Sequence, residues 1–182
     1  VVTPLLIRTS KTGKGGFVNY DHIKNDIVRL LKQENKIIVT TLFDYFRMPT
    51  NVPDYDKCIT KQQNASPFEK VSCIEEAIDL DINDKRFVPY IQLHEFEAVL
   101  FSSNKGFECY FSESISDATQ IIINKYPNPE LINDSPQTAP SKRLIKIHPS
   151  YDKVVEGNLI AIEIGMSTIM KKCSRFANWI RI

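Results

Sequence analysis

The stretch Pro89–Phe101, PYIQLHEFEAVLF, holds an imidazole and two carboxylates, His94, Glu95 and Glu97. They sit where a short β-rich run gives way to apolar residues at helical spacing. Proteins of the α/β class put their chemistry at such junctions, outside the carboxyl ends of strands. A second stretch, Lys36–Phe46 (KIIVTTLFDYF), has the same form and carries Asp44 at its end. Carboxylate oxygens are the preferred ligands of Mg²⁺. Acids at two strand ends therefore predict a divalent-metal site built from Asp44, Glu95 and Glu97.

Each acid also has a plainer reading. Asp44 can cap the next turn, and Tyr45 and Phe46 follow it, so an Asp-x-Asp pair is incomplete. Asp54 and Asp56 lie in the loop beyond. Glu95 and Glu97 share a face if the backbone is extended and point roughly 200° apart in a helix. Acids at a helix start also favour the positive end of its dipole. His94 can orient one of the glutamates or contact substrate.

The basic elements point to phosphate. Ser10–Gly16 (SKTGKGG) offers Lys11, Lys14 and backbone N–H groups, either as a phosphate cradle or as an ordinary turn. It lacks the Walker A pattern. Ala139–Arg143 places Ser141, Lys142 and Arg143 at a helix start. Cations there oppose the helix dipole, and phosphate binding supplies a reason for them; a solvated face is the alternative. His22 and His148 stand alone, without zinc-ligand spacing. No Gly-x-Ser-x-Gly elbow or Cys–His motif indicates acyl chemistry.

The elements that must carry these residues follow a β-α-β order. Val1–Thr9 reads as an edge strand and Tyr20–Glu34 as an amphipathic helix. Lys36–Asp44 reads as a buried strand, Tyr45–Pro67 as a long loop, Phe68–Asp81 as a helix and Phe87–Leu93 as a third strand. A parallel sheet with helical crossovers is the expected class. The second half reads as helices at Ile115–Lys125, from Pro140 to Ile147, Leu159–Ile164 and Ser167–Ile180. The apolar stripe Met166, Ile169, Met170, Cys173, Phe176, Trp179 and Ile180 is expected to be core. The predicted division is an α/β core over 1–104 and a helical extension over 105–182. A segment preceding Val1, carrying a first strand, is also expected.

Charge is nearly balanced, 23 basic against 22 acidic residues, which argues against a protein that coats nucleic acid but leaves room for a local basic groove. Cys58, Cys73, Cys109 and Cys173 are widely spaced, with no CxxC pair. They are expected to be reduced thiols of a cytoplasmic protein. No apolar run approaches the ~20 residues of a membrane span, and neither a secretory leader nor a membrane partner is expected.

Several stretches together resemble the domain-of-unknown-function 4276 family (DUF4276), Toprim-like proteins often encoded beside AAA or SMC-type ATPases. The matching text is RTSKTGKGGFVNYDHIKNDIVRLL, VTTLFDYFRMP, DINDKRFVPYIQLHEFEAVLFS, PELINDSPQTAPSKRL and IAIEIGMSTIMKKCSRFANWI. HEFEAVLF and TAPSKR, in that order, are its more specific parts. The resemblance implies a Toprim-like, mostly parallel sheet flanked by helices, with a helical C-terminal extension. It implies metal-dependent phosphodiester chemistry with Mg²⁺ or Mn²⁺ on DNA or RNA, beside a partner ATPase, in phage defence. By similarity Asp44 holds the place of the first strand acid, Glu95 or Glu97 that of the later one, and Lys142 that of a lysine near the scissile phosphate. The Toprim first-strand glutamate has no counterpart here. The alternative expectation is a non-catalytic module that docks on an ATPase or senses nucleic acid.

Overall fold

A computed structural model of the chain describes residues 2–6, 19–46, 48–62, 64–132 and 135–182. These fall into two compact units, Val1–Leu93 and His94–Ile182. The class is mixed α/β, predominantly helical, with short parallel strand pairs. Among the described residues no helix is long and apolar enough to cross a membrane.

The first unit is built on helices α1 (Tyr20–Gln33) and α2 (Pro67–Ile82). Asn19 caps α1 by accepting the Asp21 N–H at 2.8 Å. Of the apolar face expected at Ile23, Ile27, Leu30 and Leu31, Ile23, Ile27 and Leu31 are buried and Leu30 is half-buried, with Tyr20 added to the buried set. Helix α2 starts with a capping box, in which Ser66 accepts the Glu69 N–H and Glu69 accepts the Ser66 N–H. Such reciprocal bonds satisfy two otherwise orphaned helix donors. It ends on Asn83 in the left-handed region, φ 51°. Tyr20 and Lys24 of α1 both donate to Asp81 of α2, at 2.7 and 2.8 Å, tying the two helices together.

Strands β1 (Val39–Thr40) and β2 (Phe43–Asp44) pair in parallel with β3 (Phe87–Val88) and β4 (Ile91–Gln92). Val39 faces Phe87 and Phe43 faces Ile91, an offset of 48 residues in both pairs. They are one ladder with a gap. Pro89 explains the gap, since proline has no N–H to give to a ladder. The Thr41 side chain bridges it: its hydroxyl accepts the Tyr90 N–H at 2.9 Å and donates to the Tyr90 carbonyl at 3.1 Å. Thr41→Val keeps the shape and removes both bonds from a buried site, so a loss of about 2 kcal/mol is expected in urea unfolding. The continuous strands expected over 36–44 and 87–93 are thus reduced to two-residue pairs. Val2–Leu6 is irregular, against the strand expected there, and Ile7–Thr9 lie outside the described residues.

The loop after β2 is not structureless. Met48 and Val52 are buried, and Asp56–Thr60 forms a short π-helical turn. That turn carries Cys58 onto α2, where it forms a disulfide with Cys73. This corrects the expectation of four reduced thiols. The two cysteines are 15 residues apart in sequence, and the folded loop brings them together. Cys109 and Cys173 remain thiols.

The second unit begins at His94 and is helical. It contains α3 (Glu97–Leu100), α4 (Lys105–Tyr110), α5 (Glu113–Lys125), α6 (Pro140–Ile147), α7 (Glu156–Ile164), α8 (Met166–Lys172) and α9 (Ser174–Ile180). Its core gathers Leu100, Phe101, Phe107, Ile132, Leu144 and Ile160. Helices α4 and α7 meet closely at Gly106, where a Cβ would lie 2.7 Å from the Ile160 carbonyl oxygen. The single closing helix expected over 167–180 is two helices that part at Cys173. Of the stripe expected to be core, Ile169 and Cys173 are buried, while Met166 is 52% and Ile180 39% exposed. Burial pushes the Cys173 thiol up to about 12, which leaves it unreactive.

Candidate functional site

The acidic junction of the sequence opens the second unit. The Ala98 N–H bonds the Glu95 carbonyl, so the chain turns at once into α3. Ala98, Val99 and Leu100 are buried, which draws Glu97 inward with them; Glu97 is 0% exposed. The ammonium of Lys153 lies 2.9 Å from its Oε2. That approach is outside hydrogen-bond geometry, and among the described residues neither carboxylate oxygen of Glu97 accepts a hydrogen bond. The contact is Coulombic and undirected.

Tyr151 lies near enough to this carboxylate to feel its charge. Its hydroxyl is buried and has no hydrogen-bond partner among the described residues. A Cβ at Gly157 would sit 2.8 Å from that hydroxyl and 3.5 Å from the Phe96 ring, so the glycine makes room for the phenol. Burial holds the Tyr151 hydroxyl well above the usual tyrosine range, and the charges of Glu97, Glu156, Asp152 and Glu95 add to the effect. The phenol therefore stays a neutral O–H.

The segment that carries Tyr151 and Lys153 is fixed at both ends. Asp152 Oδ1 accepts the N–H groups of Val154 and Val155, and Glu156 Oε2 accepts the Asp152 N–H at 2.7 Å. This is a capping arrangement at the start of α7. His148 Nε2 meets Glu156 Oε1 at 3.1 Å and Ser150 Oγ at 3.4 Å. Both partners use the same ring nitrogen. A nucleophilic relay needs one partner on each nitrogen, so these three residues form no triad.

Glu95 has a different task. Its Oε2 accepts the Ser141 backbone N–H at 2.9 Å, at the first turn of α6. Ala139, the residue before that helix, offers no side-chain cap. Glu95 thus supplies the negative charge that a helix N-terminus favours, where the sequence suggested an external phosphate. Glu95→Ala is expected to cost about 1 kcal/mol and to speed amide hydrogen exchange at Ser141–Arg143. Lys142 is exposed in the same turn, without an ion pair among the described residues. Arg143 turns into its own unit instead. It donates to the carbonyls of Thr138 and Ile132 and to the Tyr126 hydroxyl, and lies 4.9 Å from the Tyr126 ring centre.

Asp44 ends β2 in the first unit, exposed and in register with Gln92. His94 is half-buried at the start of the second unit. Lys11, Lys14 and their glycine-rich loop lie outside the described residues. Within the second unit, then, the structure gathers Glu95, Ser141 and Lys142 around one helix start, and Glu97 with Tyr151 and Lys153. The last two were not expected. Their sequence signal is weak: an Asp–Glu pair at i, i+4 followed by Gly157, which marks a helix start rather than a site.

Among the described residues no group of three or more His, Cys, Asp or Glu side chains is placed to hold a metal ion. Glu97 faces an ammonium and Glu95 a backbone N–H, so as they stand these residues do not fit a resident Mg²⁺. No curated protein and no solved structure matches the chain. The model of one family, described as a domain of unknown function (DUF4276), matches residues 1–182. That match spans the whole sequence, and the chain therefore belongs to the DUF4276 family.

Proposed function

We propose that this chain is a Toprim-like subunit that engages the phosphodiesters of DNA or RNA, works with an AAA- or SMC-type ATPase, and serves metal-dependent hydrolysis in phage defence. The supporting observation is Glu97. A fully buried carboxylate that accepts no hydrogen bond is costly, and an apolar residue of similar size is often at least as stable in such a place. Poorly satisfied buried groups collect where a protein does chemistry. Lys142, exposed on the α6 turn that Glu95 holds, is suited to neutralise a phosphate.

A second reading is a non-catalytic module that binds nucleic acid or docks on the ATPase. It is favoured by the partners that Glu95 and Glu97 already have. One experiment separates the two. The protein with its ATPase partner is incubated with plasmid DNA and with RNA in Mg²⁺ or Mn²⁺, and binding is followed across salt concentrations. Cleavage that Glu97→Gln abolishes supports hydrolysis. Binding without cleavage supports the module, and Lys142→Ala is then expected to lower the salt slope by about 1. Neither binding nor cleavage rejects hydrolysis and nucleic-acid binding alike and leaves docking on the ATPase.

A further inference from the structure

We propose that the outer face of α7 is the centre of an interface between two copies of this chain, in which the two α7 helices pack antiparallel about a two-fold axis. The proposal goes beyond the reading of Glu97 and does not depend on it. Helix α7 is apolar on both sides. Gly157, Ile160 and Ile164 are buried on one face. Val155, the residue before the helix, lines the opposite face with Leu159 and Ile162, at i, i+4 and i+7. Ile162 is 74%, Val155 57% and Leu159 39% exposed. The exposed residues of α7 are Asn158, Leu159 and Ile162, none of them charged. Those of α1 are Asp21, His22, Asn25, Arg29, Lys32 and Gln33, the face of a helix that meets water. A helix apolar all round is ordinarily a buried one, and a contiguous apolar stripe, unlike single scattered residues, marks an interaction surface. Asn158 does not resist a dry contact, because its Nδ2 already donates to the Val154 carbonyl.

Charge and symmetry select a second copy as the occupant. The N-terminal end of α7 carries Asp152 and Lys153. Its C-terminal end carries Glu163 with Lys105, joined at 2.8 Å, and the Lys105 side chain is largely exposed. An antiparallel pair lays Asp152 of one copy near Lys105 of the other, and Lys153 near Glu163. It also sets the positive end of each helix beside the negative end of its mate. A parallel pair would put like ends together. The stripe satisfies itself in the same arrangement: Leu159 lies at the axis, and Val155 of one copy meets Ile162 of the other. Such self-complementarity is what an isologous contact requires. A stable dimer buries about 800 Å² on each copy, so the contact runs past the stripe to Val154 and Met166, both exposed at its ends.

The test uses the intact chain. Sedimentation velocity is expected to show a particle of twice the mass of one chain, and Ile162→Glu to weaken self-association by at least about tenfold. Ile121→Glu, an equally exposed isoleucine on α5 outside this face, is expected to leave it unchanged. In a mixture of isotope-labelled and unlabelled parent chains, a zero-length carbodiimide is expected to join Lys105 of one copy to Asp152 of the other, read as mixed-isotope peptide pairs by mass spectrometry. This second measurement uses the parent protein and stands even if Ile162→Glu does not fold. A monomer at every concentration, self-association that survives Ile162→Glu, or Lys105 crosslinks found only within one copy overturns the inference. So does a chain that stays monomeric and binds its ATPase through Ile162, which gives the face to an unlike partner.

Discussion

Glu130→Ala is expected to destabilise the second unit by about 3 kcal/mol, the cost of stripping a buried charged acceptor from backbone donors. Glu130 is 2% exposed and sits in a 3₁₀ turn, Pro129–Leu131. Its Oε1 accepts the Phe176 N–H at 2.9 Å and its Oε2 the Arg175 N–H at 3.0 Å. It therefore caps α9 from 45 residues away, a helix whose own preceding residue, Cys173, provides no side-chain cap. The charge also meets the positive end of the helix. Glu130→Gln is expected to cost nearly as much, since its amide would turn an N–H toward an N–H. Trp179 reports the outcome: it is the chain's one tryptophan, lies on α9 and packs edge-on against Phe176 with ring centres 5.6 Å apart. Its emission should shift to the red in both variants before global unfolding. Unchanged emission and unchanged urea midpoints would remove the cap from the account of α9.

Replacing both Cys58 and Cys73 by alanine is expected to cost the first unit about 3 kcal/mol, the loop-closure value for a 15-residue separation. Cys58 is wholly buried, and the crosslink pins the π-helical turn at Asp56–Thr60 to α2. The same loop carries Asn51, whose side chain accepts the Tyr20 N–H at 3.0 Å at the start of α1. Loosening it therefore reaches two helices. A dithiol reductant should lower the thermal midpoint of the parent and leave the double variant unmoved. A parent indifferent to reductant would show that the loop is held by its apolar contacts alone. In a reducing compartment such a bond is a responsive crosslink rather than a permanent one.

The helical faces of this chain are written locally. Ile23, Ile27 and Leu31 on α1, and Val71, Ile74, Ala77 and Ile78 on α2, are apolar at helical spacing and are the residues buried. Periodicity works there because a helix turns every 3.6 residues whatever surrounds it. The strands were half legible. Their apolar runs marked the place, but a single proline cut the ladder and a threonine hydroxyl bridged it. The break between α8 and α9 at Cys173 escaped because a stripe of apolar residues does not say where the backbone changes direction.

The pairings belong to another level. Glu95 on the α6 turn, Glu130 on α9, Cys58 on Cys73 and Lys153 on Glu97 join residues 15 to 56 positions apart. Side-chain spacing carries no information at that range, because the partner is chosen by the path of the chain between. The sequence by itself determined the residue types on offer: acids at a strand–helix junction, cations at a helix start, apolar faces at helical period. Only the tertiary structure decided that one acid caps a helix and another is buried against an ammonium, since a carboxylate's role is set by the donors that folding brings to it.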